Sequence, residues 1–309
     1  MIKFIKKGYK IKEKFLNFYN AYPYLDFEQA IEFYAIFGGI EELVELELFD
    51  DILSVVRDTM QNRFDILQSL ITPSYLKEPP YNRLLYHLAK GDSKIVSAYY
   101  KSKLGEQSGN EIVQELEELK VLQIEKSREN PLKIHPKHKL KKELRGYIIQ
   151  DKARFTKPFY RFWFAFVMPY IDELQAGRVD EFLDNFQKHY ERLRSYVFEQ
   201  LSLEALRVYY QDNPLISYGS YWDKNSEFDI LALSQNREII LGECKYKDRK
   251  VCKSELNKLK QKAILLGIKV DKFIVFSKSG FSNELISSKQ KDTLLFDLDD
   301  IKNIYLCCL

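Results

Sequence analysis

Two short runs constrain this chain more than anything else in it: Glu227-Phe228-Asp229-Ile230-Leu231 and Leu241-Gly242-Glu243-Cys244-Lys245-Tyr246. Thirteen residues lie between Asp229 and Glu243, and they read as a turn joining two apolar strands. The charged residues therefore sit on segments that otherwise have every reason to be buried. Glu243 and Lys245 lie two apart, so strand alternation turns both to one face. Asp229 and Glu243 can share a hard divalent cation, which takes oxygen ligands and keeps several waters. Lys245 beside them can orient the attacking water and offset phosphate charge. A surface ion pair of Glu243 with Lys245 or Lys247 is the plainer alternative. The flanking Ile239-Ile240-Leu241-Gly242 weighs against it, because buried charge is costly unless paired or metal-bound.

At 309 residues the chain is long for one domain, and 45% hydrophobic residues supply material for more than one core. Net charge is only +3, so its distribution matters more. Phe27 to Arg57 holds eight acidic residues against one basic, Lys120 to Arg145 nine basic against three acidic, and Glu243 to Lys262 eight basic against three. Basic segments flanking the carboxylates fit a nucleic-acid backbone. Lys247, Arg249, Lys250, Lys253 and Gln261 are the candidate contacts, with a solvent-facing role the alternative for Gln261.

Cys244, Cys252, Cys307 and Cys308 lack zinc-ligand spacing, which points to a reduced, cytoplasmic setting. The aromatic run from Phe159 to Tyr170 contains Arg161 and is too short for a bilayer, so no membrane association is expected. His135-x-x-His138 sits in a basic linker without a third ligand and reads as solvated.

Four segments follow from the periodicities. Residues 1–75 read as helical, with a helix over Phe27–Ile36 stopped by Gly38-Gly39 and another over Ile52–Leu70. Residues 76–150 read as a winged helix-turn-helix: helices over Asn82–Lys90, Ser93–Leu104 and Glu111–Lys120, then a hairpin of Val121–Ile124 with Leu132–Ile134. Its third helix turns Ile112, Val113, Leu116 and Leu119 inward and exposes Glu111, Glu115, Glu117 and Glu118, which disfavours insertion into a DNA groove. The wing, through Lys126, Arg128, Lys133, Lys137 and Lys139, remains a candidate for backbone contact. Residues 151–194 read as an aromatic helical linker whose rings are core or an anchor. Residues 195–309 read as helix, three strands, helix, strand, and a last strand, an α/β domain with a mixed sheet.

This last domain resembles the PD-(D/E)xK nuclease superfamily, with its restriction-endonuclease-like fold. Phe37-Gly38-Gly39-Ile40, Leu88-Ala89-Lys90-Gly91, Phe159-Tyr160-Arg161-Phe162-Trp163 and the Glu227-to-Tyr246 block further resemble the archaeal-type ATPases, in which an AAA+ module precedes a winged helix and a nuclease-like domain of unknown function. The likeness covers about residues 25 to 300. It implies a helical lid, a winged helix and a nuclease-like domain in that order. It also implies catalytic roles for Glu199, Asp229, Glu243 and Lys245, with Asp229 and Glu243 holding Mg2+ or Mn2+. Glu204 is a rival for the helix position, and Glu227 is an outer acid or merely exposed.

Two departures matter. Glu41-Glu42 stands where the family usually has Pro and Tyr, and no G-x-x-x-x-G-K-[ST] occurs anywhere. Without that loop this polypeptide is not expected to hydrolyse ATP, and either the ATPase is a separate chain or the gene is truncated or decayed. The expectation is a metal-dependent DNA endonuclease of an ATPase-associated system. The alternative is a non-catalytic nucleic-acid-binding or regulatory subunit of a separate AAA+ ATPase.

Overall fold

The structure, a computed structural model, describes residues 11–44, 46, 51–133, 135, 137 and 139–306. Part of the acidic run (Glu45, Glu47, Asp50), the hairpin's Ile134, His138 and the Cys307-Cys308 pair lie outside the described residues. The chain forms two compact units, one of residues 14–126 and 150–194 and the other of residues 1–13, 127–149 and 195–309.

The first unit is mainly helical. Helices α1 (Ile11–Ala21) and α2 (Phe27–Phe37) come first, and α2 starts at a capping box in which Asp26 and Gln29 satisfy each other's backbone N–H groups. Gly38 ends α2 where a Cβ would fall 2.9 Å from the Pro158 ring and 2.6 Å from the Tyr34 carbonyl, so only glycine fits. The single helix expected over Ile52–Leu70 is two, α3 (Ile52–Asn62) and α4 (Phe64–Ser69). Arg63 leaves helical geometry at φ −133° between them, and its guanidinium donates to the Leu43 carbonyl at 2.9 Å. That long-range bond has no local signature.

Helices α5 (Tyr81–Lys90), α6 (Ile95–Ser102) and α7 (Glu106–Glu118) precede β1 (Leu122–Glu125). The strand expected to complete a hairpin with β1 is not its partner. The partner of β1 is β2 (Lys152–Phe155), antiparallel with Leu122 opposite Phe155, and not the segment at 132–134. Lys94 bridges to Lys152 on the other edge of β2, and Arg154 pairs with Glu125 at 2.6 Å. On α7, Ile112, Val113 and Leu116 are buried as expected, but Leu119 is exposed because the helix has ended at Glu118. Two of its acids are spoken for: Glu115 accepts from the Tyr75 and Tyr81 hydroxyls, and Glu117 from the Ile124 amide.

The aromatic run forms α8 (Pro158–Phe162) and a wider helical turn to Val167, followed by α9 (Ile171–Gln175) and α10 (Asp180–His189). Its rings are core. Phe162 meets Phe186 edge-on at 5.7 Å and Phe37 at 6.3 Å, while Trp163 stacks on Phe64 at 5.9 Å.

The second unit is built on a five-stranded mixed sheet in the order β3 (Leu215–Trp222), β4 (Glu227–Ser234), β5 (Ile239–Lys245), β6 (Lys272–Ser277), β7 (Thr293–Phe296). The first three strands run antiparallel, and β6 and β7 run parallel to β5. Helix α11 (Glu191–Tyr209) belongs to this unit from Ser195, and α12 (Lys253–Leu265), α13 (Asn283–Ser287) and α14 (Leu298–Leu306) complete it. Leu231, Leu241, Phe273 and Val275 form one core with Leu256, Leu259 and Ala263 of α12. On the other side, Phe198 of α11 meets Tyr246 at 5.3 Å, and the Tyr305 hydroxyl of α14 donates to the Leu201 carbonyl at 2.6 Å. Helices on both faces of the sheet account for strands with little polar alternation. Among the described residues, no helix is long and apolar enough to cross a membrane.

Candidate functional site

β4 carries an irregularity where the site begins. Gly219 faces Leu231 and Tyr221 faces Phe228, so Ser220 alone stands opposite both Asp229 and Ile230. Such a bulge bends the strand and re-aims one side chain. Ile230 keeps its place opposite Gly242 of β5, where a Cβ would come within 3.0 Å of the Ile230 Cβ. A larger residue at 242 would push the bulge away.

The bulge brings Asp229 to β5. Its Oδ2 accepts the Cys244 backbone N–H at 2.7 Å. Glu243 and Lys245, on one face of β5, are joined by a 2.5 Å bond from the Lys245 ammonium to Glu243 Oε1. Burial, then the charges of Glu199 and Glu243, pushes the Asp229 carboxyl well above the ordinary carboxylate range, against the opposing pull of the Cys244 N–H and Lys245. Glu199 of α11 and Glu243 thus both lie close enough to act on Asp229. For Lys245, burial works against the ammonium, but Glu243, Asp229 and Glu255 outweigh it and its pKa ends raised. Cys244 points into the other face, where burial and then Asp229 and Glu199 hold its thiol protonated against a hydrogen bond with Ser202.

The rival acid is placed elsewhere. Glu204 is buried and pairs with Arg207 of its own helix at 3.0 Å, and its charge falls on Arg207 and Tyr218. The Glu227 side chain is exposed, and its carbonyl accepts from Lys262 at 3.3 Å.

Two basic residues take roles the sequence reading did not assign them. Lys262 of α12 lies 3.8 Å from Glu243 Oε2, with its ammonium 5.8 Å from the Phe228 ring centroid. Its helix gives a signal: Lys262 falls three residues after buried Leu259 and beside buried Ala263, at the edge of the apolar stripe. Arg128, read as part of a basic wing, is instead buried in the sheet unit. Its guanidinium donates to the Leu231 carbonyl at 2.5 Å, the Gly219 carbonyl at 3.1 Å and Ser217 Oγ at 3.0 Å. It ties together the pair next to the bulge, so it is not presented to a nucleic-acid backbone.

Of the other candidate contacts, Lys247, Arg249, Lys250 and Gln261 are exposed, and half-buried Lys253 lies 3.8 Å from Glu284. The loop carrying Lys247, Arg249 and Lys250 is anchored, whereas Lys253 and Gln261 lie on α12. Ser279 Oγ donates to the Lys247 carbonyl at 2.7 Å, and Val251 bridges to Phe281. Among the described residues, no three His, Cys, Asp or Glu side chains form a ready metal cage. The arrangement is a two-carboxylate site with a third acid nearby and two ammonium groups on Glu243.

Residues 163–262 match a family described as archaea bacterial proteins of unknown function, DUF234. The match runs from Trp163 through Asp229, Glu243 and Lys245 to Lys262. No curated protein matches the chain. The fold and site define an α/β protein with a mixed five-stranded sheet and a family likeness over residues 163–262, about a third of its length.

Proposed function

We propose that this protein hydrolyses phosphodiester bonds in DNA with a divalent cation held by Asp229 and Glu243. The observation that carries the reading is the Asp229 carboxyl, pushed upward by burial and by Glu199 and Glu243 while Lys245 lies at the same end of the sheet on neighbouring β5. Clustered half-buried carboxylates repel each other, and a cation offsets that cost. The donor set suits Mg2+ or Mn2+, since Mg2+ takes one or two carboxylates and keeps waters. Such an ion supplies charge neutralisation at a phosphate and makes water more acidic. The chain's own groups do the rest. Lys245 positions the attacking water and offsets charge developing on the phosphate. Glu199 favours cation binding through its charge on Asp229, and Lys262 brings a second positive charge beside Glu243. Lys247, Arg249, Lys250 and Lys253 hold the backbone, with Gln261 on the same helix as Lys262.

The antiparallel-then-parallel sheet between α11 and α12 is the arrangement expected of a PD-(D/E)xK domain. The order α5, bridge, α6, α7, β1, β2 is that of a winged helix. Both assignments belong to this proposal.

One observation favours a second reading. Lys245 and Lys262 both approach Glu243, so the site is also consistent with an ion-pair network that needs no metal. The protein is then a non-catalytic nucleic-acid-binding or regulatory subunit of a separate AAA+ ATPase. The deciding experiment follows labelled DNA through Mg2+ and Mn2+ titrations with wild type, Asp229→Ala, Glu243→Ala and Lys245→Ala. Metal-dependent cleavage lost in the first two variants supports hydrolysis. Undiminished cleavage by Glu243→Ala assigns the activity to another site or a contaminant, and silence of the wild type with DNA binding retained favours the second reading.

A further inference from the structure

The sheet unit has a cavity of about 520 Å³ that the site above does not use, between Leu132 with residues 139–144 on one side and the β3–β4 turn on the other. Lys139, Lys141, Lys224 and Asn225 line it together with Leu140 and Leu144, and among the described side chains none that lines it is acidic. The three lysines are exposed.

Nearby acids face other partners. Asp223 Oδ1 accepts the backbone N–H groups of Asn225 and Ser226, each at 2.7 Å, and its Oδ2 accepts the Tyr221 hydroxyl at 3.0 Å. Asp223 thereby holds the turn that presents Lys224 and Asn225. Glu129 accepts the Tyr147 hydroxyl at 2.7 Å. The segment itself is shaped by the short helical turn Lys142–Leu144 and by Arg145 Nε donating to the Leu140 carbonyl at 3.3 Å. The cavity therefore joins three positive charges, an amide and an apolar floor.

We propose that this cavity binds the backbone of the same DNA that the Asp229 site cleaves, which rests on the hydrolysis reading above. Its position supports that occupant. The turn bearing Lys224 and Asn225 leads directly into β4, which carries Asp229. At the rise of a fully extended strand, four residues from Asn225 to Asp229 would span about 13 Å, an upper limit because Asn225 sits in the turn and β4 bulges at Asp229. That is the axial rise of about four nucleotides along one strand of a duplex. One strand can occupy both places at once. The lysines neutralise phosphates flanking the scissile one, and the leucines cover sugar or base edges.

The test measures binding of a fluorescent DNA duplex in EDTA, where hydrolysis is silent, for wild type, a Lys139→Ala/Lys141→Ala/Lys224→Ala triple variant and a Lys289→Ala/Lys291→Ala control. The control lysines are exposed and precede the start of β7, the end of the sheet opposite Lys245. The triple variant should bind at least about 10-fold more weakly, with a salt slope shallower by about 2–3, because each phosphate contact contributes about 0.9. The control should bind as wild type does. Equal loss in the control, no loss in the triple variant, or no binding by the wild type overturns the proposal. So does displacement by polyglutamate as effective as by an equal charge of unlabelled duplex. Cavity-dependent binding without cleavage in any metal removes the hydrolysis reading alone, whereas cleavage with cavity-independent binding removes only this one.

Discussion

The Cys244 backbone N–H donates to Asp229 Oδ2 at 2.7 Å, which fixes one carboxylate oxygen and leaves the burden of a buried charge on the group as a whole. Because the folded-state pKa lies above the ordinary value, this group favours the fold below its unfolded pKa of about 3.9, and that favour is lost as pH rises through the folded value. Asp229→Asn keeps an acceptor for Cys244 and removes the charge. It should melt higher than wild type at pH 7, by about 2–4 °C for each kcal/mol relieved, and the gap should close towards pH 4. Thermal melts across that range check it. Mg2+ should raise the melting temperature of the wild type more than that of the variant, through preferential binding to the folded state.

Under the proposed hydrolysis, a Lys262 variant should separate metal binding from turnover. Lys262→Ala takes one of two ammonium groups from Glu243, so Mn2+ affinity should rise. Cleavage at saturating metal should fall by about 10-fold, below the ~100-fold loss of a fully enclosed charge-stabilising donor, since Lys262 is partly solvated. Calorimetric Mn2+ titration and single-turnover cleavage read the two effects. A fall in metal affinity together with unchanged cleavage contradicts the assignment.

Arg128 should matter to stability although it lies far from the site in sequence. Arg128→Met leaves the Leu231 and Gly219 carbonyls without its N–H groups, at about 1–3 kcal/mol for each buried acceptor not satisfied otherwise. Denaturant unfolding should show that loss. Amide exchange in β3 and β4 should rise more than in β6.

In α7, a Cβ on Gly109 would fall 2.7 Å from the ring of Tyr99, whose hydroxyl donates to Asn110 at 3.0 Å. Gly109→Ala gains about 1 kcal/mol of helix propensity but forces a buried ring to move, at about 1–3 kcal/mol. The clash should win, lowering stability by about 1 kcal/mol in the same unfolding assay.

The purified chain should show no stoichiometric ATP hydrolysis in a phosphate-release assay, since no phosphate-cradling loop occurs in its sequence. ATPase activity abolished by a substitution within these residues contradicts this.

Alternation by itself determined that Glu243 and Lys245 share a face of β5, and the apolar runs around Asp229 and Glu243 marked β4 and β5 as strands, because both signals are local. The same periodicity marked the buried face of α7 and the aromatic core rings. Tertiary structure alone decided the aim of Asp229, which depends on the Asp229-Ile230 bulge against β3 and on Gly242 opposite. It also decided that Glu199 rather than Glu204 acts on Asp229, since Glu199 meets a carboxylate from a distant strand while Glu204 pairs with Arg207 of its own helix. Pairing of β1 with β2 passes over the whole 126–151 stretch, where a closer apolar segment looked equally suitable. Arg128 and Lys262 carry the same lesson. Their type and charge are written in the chain, but whether such a side chain meets solvent, a carbonyl or a carboxylate is set by residues about 90 or 20 positions away, which no local pattern encodes.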